Sequence, residues 1–379
     1  MAKKKILFIS NIADEKIGSF AMSSILASNN LNMEYHIASN FNASTIEQRN
    51  LDENQYNIKI HHIDFIRNPI DPKNIKALKQ LVKLIKKENF DIIHCNTPVG
   101  GVCGRVAAKI CSVKKVIYQA HGFHFFKGAP KINWLIYYPV ERILAHLTDI
   151  IITINQEDFK IAKEFKLRKN GNVYYVPGVG IDLKNYNECS VNTLEKRRSI
   201  GLCPDDFILL SAGRLDSNKN NETIIKGLSM CNDSRIKLVI CGDGDEKEML
   251  FSLAKRLGIE NQVYFLGNRN DMNELYQVMD VFVLASFREG LSRSIMEAMA
   301  SGKPCIVSNI RGNVDLIAEG KGGYLFNPND SMEFSHKVNS IIINENRNSM
   351  SKFNRKKICD FGIDNVASRL VQIYNDIIN

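Results

Sequence analysis

Short runs rich in β-branched residues alternate with segments of helical period along the whole chain. Few folds accept that pattern, and parallel sheets covered by helices accept it best. In the first half the runs are Lys5 to Ser10, Met33 to Ala38, Ile58 to Asp64, Asp91 to Cys95, Lys115 to Ala120, Ile150 to Ile154 and Val173 to Val176. In the second half they are Phe207 to Ala212, Lys237 to Cys241, Gln262 to Leu266, Val281 to Ala285 and Pro304 to Ser308. There is no short-period repeat, only one α/β architecture read twice.

A chain of 379 residues with 44% apolar content is long enough for two such domains. The break falls after Val176, where Pro177, Gly178 and Gly180 open a polar stretch running to about Gly201 with little periodicity. The expected division is an N-terminal domain over 1–180, a linker over 181–200 and a C-terminal domain over 201–355. A closing segment over 356–379 holds a helix from Ile363 to Ile378, with Val366, Leu370, Ile373 and Ile377 on one stripe.

Nine cysteines without C-x-x-C pairs or Cys/His clusters indicate neither a disulfide framework nor a structural zinc. The start, MAKKKILFIS, is basic and then briefly apolar before Asn11, Asp14 and Glu15, which reads as a strand rather than a signal peptide. The most apolar stretch, Ile132 to Ile154, is interrupted by Pro139, Glu141, Arg142, His146 and Asp149 and is not read as a membrane span. A cytoplasmic protein is expected.

The net charge of +9 is concentrated in residues 1–180, which hold 25 Lys and Arg against 15 Asp and Glu. Such a face can attract nucleic acid, an anionic membrane or a phosphate-bearing substrate. No nucleic-acid module is legible, so no nucleic-acid partner is expected. The helix Asn74 to Lys87 sets Ile75, Leu78, Leu81, Val82 and Ile85 against Lys76, Lys79, Lys83, Lys86 and Lys87. By itself it is at least as well read as a packed helix with a solvated lysine face as a bilayer contact, but with the basic first half the preferred expectation is peripheral attachment to an anionic bilayer.

Open α/β sheets bind ligands beyond the carboxyl ends of their strands, so chemistry is sought in strand-to-helix loops. Arg214 and Lys219 follow FILLSAG, just before a helix starting near Asn221, where two cations and free amides would suit a diphosphate. They could equally be solvated loop charges. In SFREGLSRSIMEAMASGKP, Glu289 lies just before a helix and Glu297 about one turn inside it. Carboxylates there can accept hydrogen bonds from sugar and ribose hydroxyls, and the amides after Gly290, around Leu291 and Ser292, can hold a phosphate. The alternative is structural: Ser294-x-x-Glu297 fits a capping box, and the helix dipole would stabilise Glu289 in any case. His121, beside His124, ends the strand VIYQAHG and could bind a sugar or phosphate or serve the fold. Gly18 lies in a loop before a helix beginning about Phe20, Gly242 opens the turn CGDGD, and Gly267, Asn268 and Arg269 end another strand.

Taken together, GRLDSNKN, CGDGD, YFLGNRNDMNELY and SFREGLSRSIMEAMASGKPCIVS resemble, in order and separation, the retaining GT-B glycosyltransferases of family 4, also called group 1. HCNTPVGG, AHGFHFF and VPGVGID extend the likeness to the bacterial members that build capsule, exopolysaccharide or lipid-linked oligosaccharide. The resemblance implies two Rossmann-like domains facing a central cleft, with the C-terminal helix crossing back to the N-terminal domain. It implies a nucleotide-sugar donor, UDP-linked by family weight, on the C-terminal domain. The expected acceptor is a polyprenyl-diphosphate-linked saccharide, reached from the inner face of the membrane. Arg214 and Lys219 then match the diphosphate-binding cations, Glu289 the carboxylate on the donor sugar and Glu297 that on the ribose. His121 matches a histidine near the transferred sugar, and Gly18 the glycine loop near the phosphates, although KIGSF departs from a double-glycine form. Ser292 stands where proline is frequent.

No carboxylate nucleophile is evident in the first domain. Retention would then proceed by attack on the face from which the diphosphate leaves, with the cations replacing a metal and no cofactor required. The competing readings are a GT-B-fold nucleotide-sugar epimerase and a nucleotide-sugar-binding regulator. An NAD oxidoreductase is disfavoured by the missing glycine fingerprint.

Overall fold

Residues Ile6 to Asn11 of the first strand, β1 (Lys5–Ile12), are buried without a break, as a strand covered on both faces requires. Its alternate side chains divide between two cores: Leu7 and Ile9 on one face, Ile6 and Phe8 on the other. The computed structural model describes residues 3–69, 71–187, 191–343 and 346–378. They fall into two units, Met1–Gly180 with Ile363–Asn379, and Ile181–Gly362.

In the first unit β1 is joined by β2 (Glu34–Asn40), β3 (Ile58–His62), β4 (Ile92–Asn96), β5 (Lys115–Ala120), β6 (Ile150–Thr153) and β7 (Asn172–Tyr175). All pairs are parallel, in the order β3-β2-β1-β4-β5-β6-β7. The order reverses between β1 and β4, so the loops after those strands part and leave a crevice at their carboxyl ends.

The C-terminal helix, Ile363–Ile378, belongs to this unit and packs on the helix Ser19–Asn30. Val366, Leu370, Ile373 and Ile377, the stripe legible in the sequence, are buried in the core that holds Ile6 and Phe8. Each buried aliphatic side chain contributes roughly 1.5–3 kcal/mol, so this stripe outweighs what helix propensity alone could hold. The Tyr374 hydroxyl reaches Nδ1 of buried His94 at 2.8 Å, tying the helix to β4.

The second unit repeats the design with β8 (Phe207–Ala212), β9 (Ile236–Cys241), β10 (Val263–Gly267), β11 (Val281–Leu284), β12 (Cys305–Ser308) and β13 (Gly323–Phe326). Its sheet is parallel, in the order β10-β9-β8-β11-β12-β13, and reverses between β8 and β11. The sequence reading lacks β13, an edge strand of four residues that begins on the second of two glycines and shows no alternation. The segment 181–200 carries two short helices, Lys184–Asn187 and Thr193–Ser199, and its Ile181, Leu183, Tyr186 and Ile200 pack on the core of this unit.

Candidate active site

The loops after β8, β9, β10 and β11 surround a cavity of about 720 Å³ at the carboxyl ends of the second sheet, where its order reverses. Arg214, Lys219, Gly242, Arg269, Glu289, Leu291, Ser292 and Glu297 all line it. Gly290 lies in the same loop, its carbonyl oxygen packed where a Cβ on Gly312 would come within 2.5 Å. Gly18 and His121 belong to the other unit.

The loops are fastened before the charges are placed. Phe287 donates its backbone N–H to the Asn218 carbonyl at 2.8 Å, and the Asn218 amide donates to the Arg288 carbonyl at 3.1 Å. Asn220, at φ 52°, donates to the carbonyls of Ala285 at 3.2 Å and Pro328 at 2.8 Å. Asparagine tolerates that left-handed backbone better than other side chains. With the β8 and β11 loops joined, Lys219 Nζ sits 2.6 Å from Glu289 Oε1, and both side chains are largely buried.

Arg214 is different. Its side chain is 58% exposed, with the Asp245 carboxylate 3.3 Å from Nη2 and that of Asp216 3.8 Å from Nε. Such exposed contacts hold an arginine weakly, so its guanidinium can turn toward an anion in the cavity. Arg269, by contrast, is spoken for: Nε and Nη2 donate to Asp271 at 2.8 and 2.6 Å. That bidentate pair, reinforced by Lys196 on Asp271, holds the Asp271 carboxyl well below the usual range. The base, sugar or phosphate that meets Arg269 meets an ion pair rather than a free cation.

The helix Arg293–Ala300 starts after Ser292, whose side chain makes no capping bond. Glu297 is therefore the fifth residue of the helix, not the third, and the capping-box alternative fails. Its carboxylate instead accepts from the Tyr276 hydroxyl at 2.9 Å and from Arg293 Nε at 2.9 Å. Burial, and then the charge of Glu297, push the Tyr276 phenol far above its ordinary pKa, so it stays a donor. Tyr276 and Arg293 were missed in the sequence. The one signal for Tyr276 was its place in the helix after the β10 loop, within YFLGNRNDMNELY.

Gly242 cannot be another residue. At φ 134° a Cβ would lie 1.9 Å from the carbonyl oxygen of Gly213. The β8 and β9 loops touch there through bare backbone, which opens the floor of the cavity.

In the N-terminal unit His121 stands at the end of β5, Nε2 3.0 Å from Asn96 Oδ1 and its ring 4.4 Å from that of Phe20. Burial and the nearby His94 push its pKa down to about 3, so it is neutral at physiological pH. Asn96 Oδ1 can only accept, so Nε2 carries the proton and Nδ1 keeps its lone pair. Gly18 caps the helix Ser19–Asn30 with φ −86°, and a Cβ there would meet nothing nearer than Asp14 Oδ2 at 3.9 Å. The fold of the unit does not demand glycine at that position, and the helix has no side-chain cap there.

The lysine-rich helix, Asn74–Glu88, buries Ala77, Leu81 and Ile85 in the core, with Leu78 and Val82 packed beside them. Ile75, the first residue of the stripe, is 58% exposed, and the lysines face solvent. Among the described residues no helix is long and apolar enough to cross a membrane.

Residues 192–357 match the family described as Glycosyl transferases group 1, and residues 5–155 the one described as Glycosyl transferase 4-like. EpsD of Bacillus subtilis strain 168, a glycosyltransferase by assignment, is 36% identical over 343 residues, 89% of this chain and 87% of its own. The chain belongs to the group 1 glycosyltransferases. Another relative in this group, a UDP-Gal:alpha-D-GlcNAc-diphosphoundecaprenol alpha-1,3-galactosyltransferase of Escherichia coli, is 30% identical over 81% of this chain and 80% of its own. HepE of Anabaena, crystallised with UDP and glucose, shares the GT-B fold at a TM-score of 0.80 and 20% identity, over 98% of this chain and 100% of its own. As a group 1 glycosyltransferase the protein is a retaining enzyme, and it builds its cavity from the segments whose order first suggested the family.

Proposed function

We propose that this glycosyltransferase moves a hexose or N-acetylhexosamine from a UDP-sugar to a saccharide carried on a polyprenyl diphosphate, in the assembly of a bacterial surface glycan. The observation that carries the donor half is the placing of Arg214, Lys219, Glu289 and Glu297 around one cavity. Two cations for a diphosphate and two carboxylates for hydroxyls are the complement of a nucleotide-sugar. The acceptor half is supported by the printed activity of the Escherichia coli relative and by that of an N,N'-diacetylbacillosaminyl-diphospho-undecaprenol alpha-1,3-N-acetylgalactosaminyltransferase of Campylobacter jejuni, 24% identical over 85% of this chain.

In this reading Glu297, aimed by Tyr276 and Arg293, accepts from the ribose hydroxyls, and Glu289 accepts from the donor sugar. The bond from the anomeric carbon to the diphosphate breaks with its electron pair going to UDP. The acceptor oxygen forms its bond to that carbon on the same face, and its proton passes to the departing phosphate oxygen. Arg214 and Lys219 stabilise the charge that develops there, which is where binding energy accelerates the step. His121 Nδ1 is available to accept from a substrate hydroxyl.

Incubation of the enzyme with a panel of UDP-sugars and a polyprenyl-diphosphate-sugar acceptor, with mass detection, tests the proposal. The expected product is the acceptor extended by one sugar in the donor's anomeric configuration. Epimerised donor formed without acceptor, or binding without turnover across the panel, would overturn it.

A further inference from the structure

The segment that opens the C-terminal unit ends on Glu297. Its backbone is set by nearby polar groups. Ile181 donates its N–H to the Phe361 carbonyl at 3.0 Å, and the Asp182 carboxylate accepts from the Lys184 N–H and the Asn185 amide, both at 3.1 Å. The one-turn helix Lys184–Asn187 that follows carries Tyr186, which is half-buried. The Gln277 amide donates to the Tyr186 carbonyl at 2.8 Å, and the Tyr186 ring packs edge-on against buried Tyr276, their centroids 5.9 Å apart. Neighbouring residues of the helix Met272–Val278 thus fix both the main chain and the ring of Tyr186.

From that position the Tyr186 hydroxyl hydrogen-bonds the Glu297 carboxylate and meets Arg293. Burial, and then the charge of Glu297, push the Tyr186 phenol above its ordinary pKa, so it remains a donor. Glu297 is thereby held by three groups: Tyr276 on Oε2, Arg293 on Oε1, and Tyr186. An ionised carboxylate has about four acceptor directions, so three fixed donors leave one open. Tyr276, Arg293 and Glu297 line the cavity and Tyr186 does not, so its hydroxyl serves a ligand there through the groups it holds. A residue that only filled space beside Tyr276 would need no hydroxyl, whereas a phenol against a charged acceptor makes one of the stronger hydrogen bonds.

We infer that Tyr186 is a positioning residue for the nucleotide: its hydroxyl turns the open acceptor direction of Glu297 toward the ribose hydroxyls, and so sets how strictly the enzyme demands them. The inference rests on the donor reading above, in which Glu297 accepts from the ribose. It brings into the site a residue from the stretch 181–200, which the sequence presents as a linker. A glutamate free to turn bonds solvent in many orientations. One held by three donors has its acceptor in place before the nucleotide arrives. A nucleotide without ribose hydroxyls would leave that acceptor desolvated and unmatched, which is how a polar site rejects such an analogue.

Titration calorimetry of UDP and of 2′,3′-dideoxy-UDP into the full-length wild type and Tyr186→Phe, with melting followed in both, tests the inference. Phenylalanine keeps the ring against Tyr276 and removes only the hydroxyl. UDP should bind the variant about fivefold more weakly, somewhat less than a whole hydrogen bond to a charged group is worth, because two donors still hold Glu297. The dideoxy analogue should bind both proteins alike. The ratio of the two affinities is taken within each protein, so a lowered melting temperature in the variant does not disturb it. Equal UDP affinity in the two proteins would overturn the inference, and so would a loss of the same size for both ligands, which a merely structural role produces. A wild type that binds UDP and the analogue equally well would contradict the ribose reading of Glu297, and the inference with it. A wild type that tells them apart, beside a variant that does so to the same degree, would overturn the inference alone.

Discussion

Lys219 and Glu289 are 70 residues apart in sequence, yet their side chains meet at 2.6 Å. The contact exists because the Asn218 backbone and side chain bind residues 287 and 288, which carries the β8 loop onto the β11 loop. In the free enzyme the pair offsets its own charge, while Arg214, 58% exposed, is open to an arriving diphosphate. A sugar diphosphate entering the cavity would set a phosphate against Lys219 and a hydroxyl against Glu289, so the two partners serve two parts of one ligand.

Arg214→Ala and Lys219→Ala should each lower kcat/KM by roughly 3 kcal/mol of transition-state stabilisation, on the scale of a lost oxyanion donor. Both are assigned to one diphosphate, so the double variant should lose less than the sum. Steady-state kinetics of the four proteins in this cycle checks the coupling. Additive losses would assign the cations to separate groups.

Tyr276→Phe removes the hydroxyl that aims Glu297 and leaves the ring packing in place. A hydrogen bond to a charged group is worth about 1.5 kcal/mol, so the donor KM should rise about tenfold. Because the contact is to ribose rather than to the reacting centre, kcat should change little. Initial rates at varied donor separate the two; a fall in kcat alone would contradict the role given to Glu297.

Gly242→Ala forces a Cβ against the Gly213 carbonyl at a backbone angle that alanine resists. A loss of more than about 2 kcal/mol of stability is expected, with donor binding lost as the two loops part. Gly18→Ala, where the fold leaves room, should not change the melting temperature. Thermal melting of both variants tests this contrast.

Acid should weaken the fold through histidines kept neutral by burial. The pKa values of His94 and His121 are pushed down to about 3, and that of His61 to about 4, in each case first by burial. Unfolded histidine takes its proton near pH 6.5, so between about pH 6.5 and those lowered values the unfolded chain binds more protons than the folded one. The contribution is complete above pH 6.5 and is lost as pH falls, at up to about 1.4 kcal/mol per pH unit for each such group. Urea unfolding across this range should show the decline, and His94→Gln should make it shallower. A slope unchanged in that variant would mean that His94 is charged in the native state.

The strands were the most legible part of the fold. Lys115–Ala120 and Phe207–Ala212 have the ends the sequence suggested, because continuous apolar runs bounded by turn residues leave little choice. The site was legible as a set of residues and not as an arrangement. Ser292 and Ser294 can each cap a helix, and moving the start by two residues decides whether Glu297 serves the cap or the cavity. Its partner Tyr276 lies 21 residues away, a distance that no local pattern reports.

Titration calorimetry of UDP into the wild type and into Lys219→Ala, with melting followed in both, tests the central claim that the cavity of the C-terminal unit holds the donor diphosphate. Binding to the wild type and a loss of tenfold or more in the variant, at least about 1.4 kcal/mol, are expected with the fold intact. Equal affinity in two folded proteins would contradict the claim.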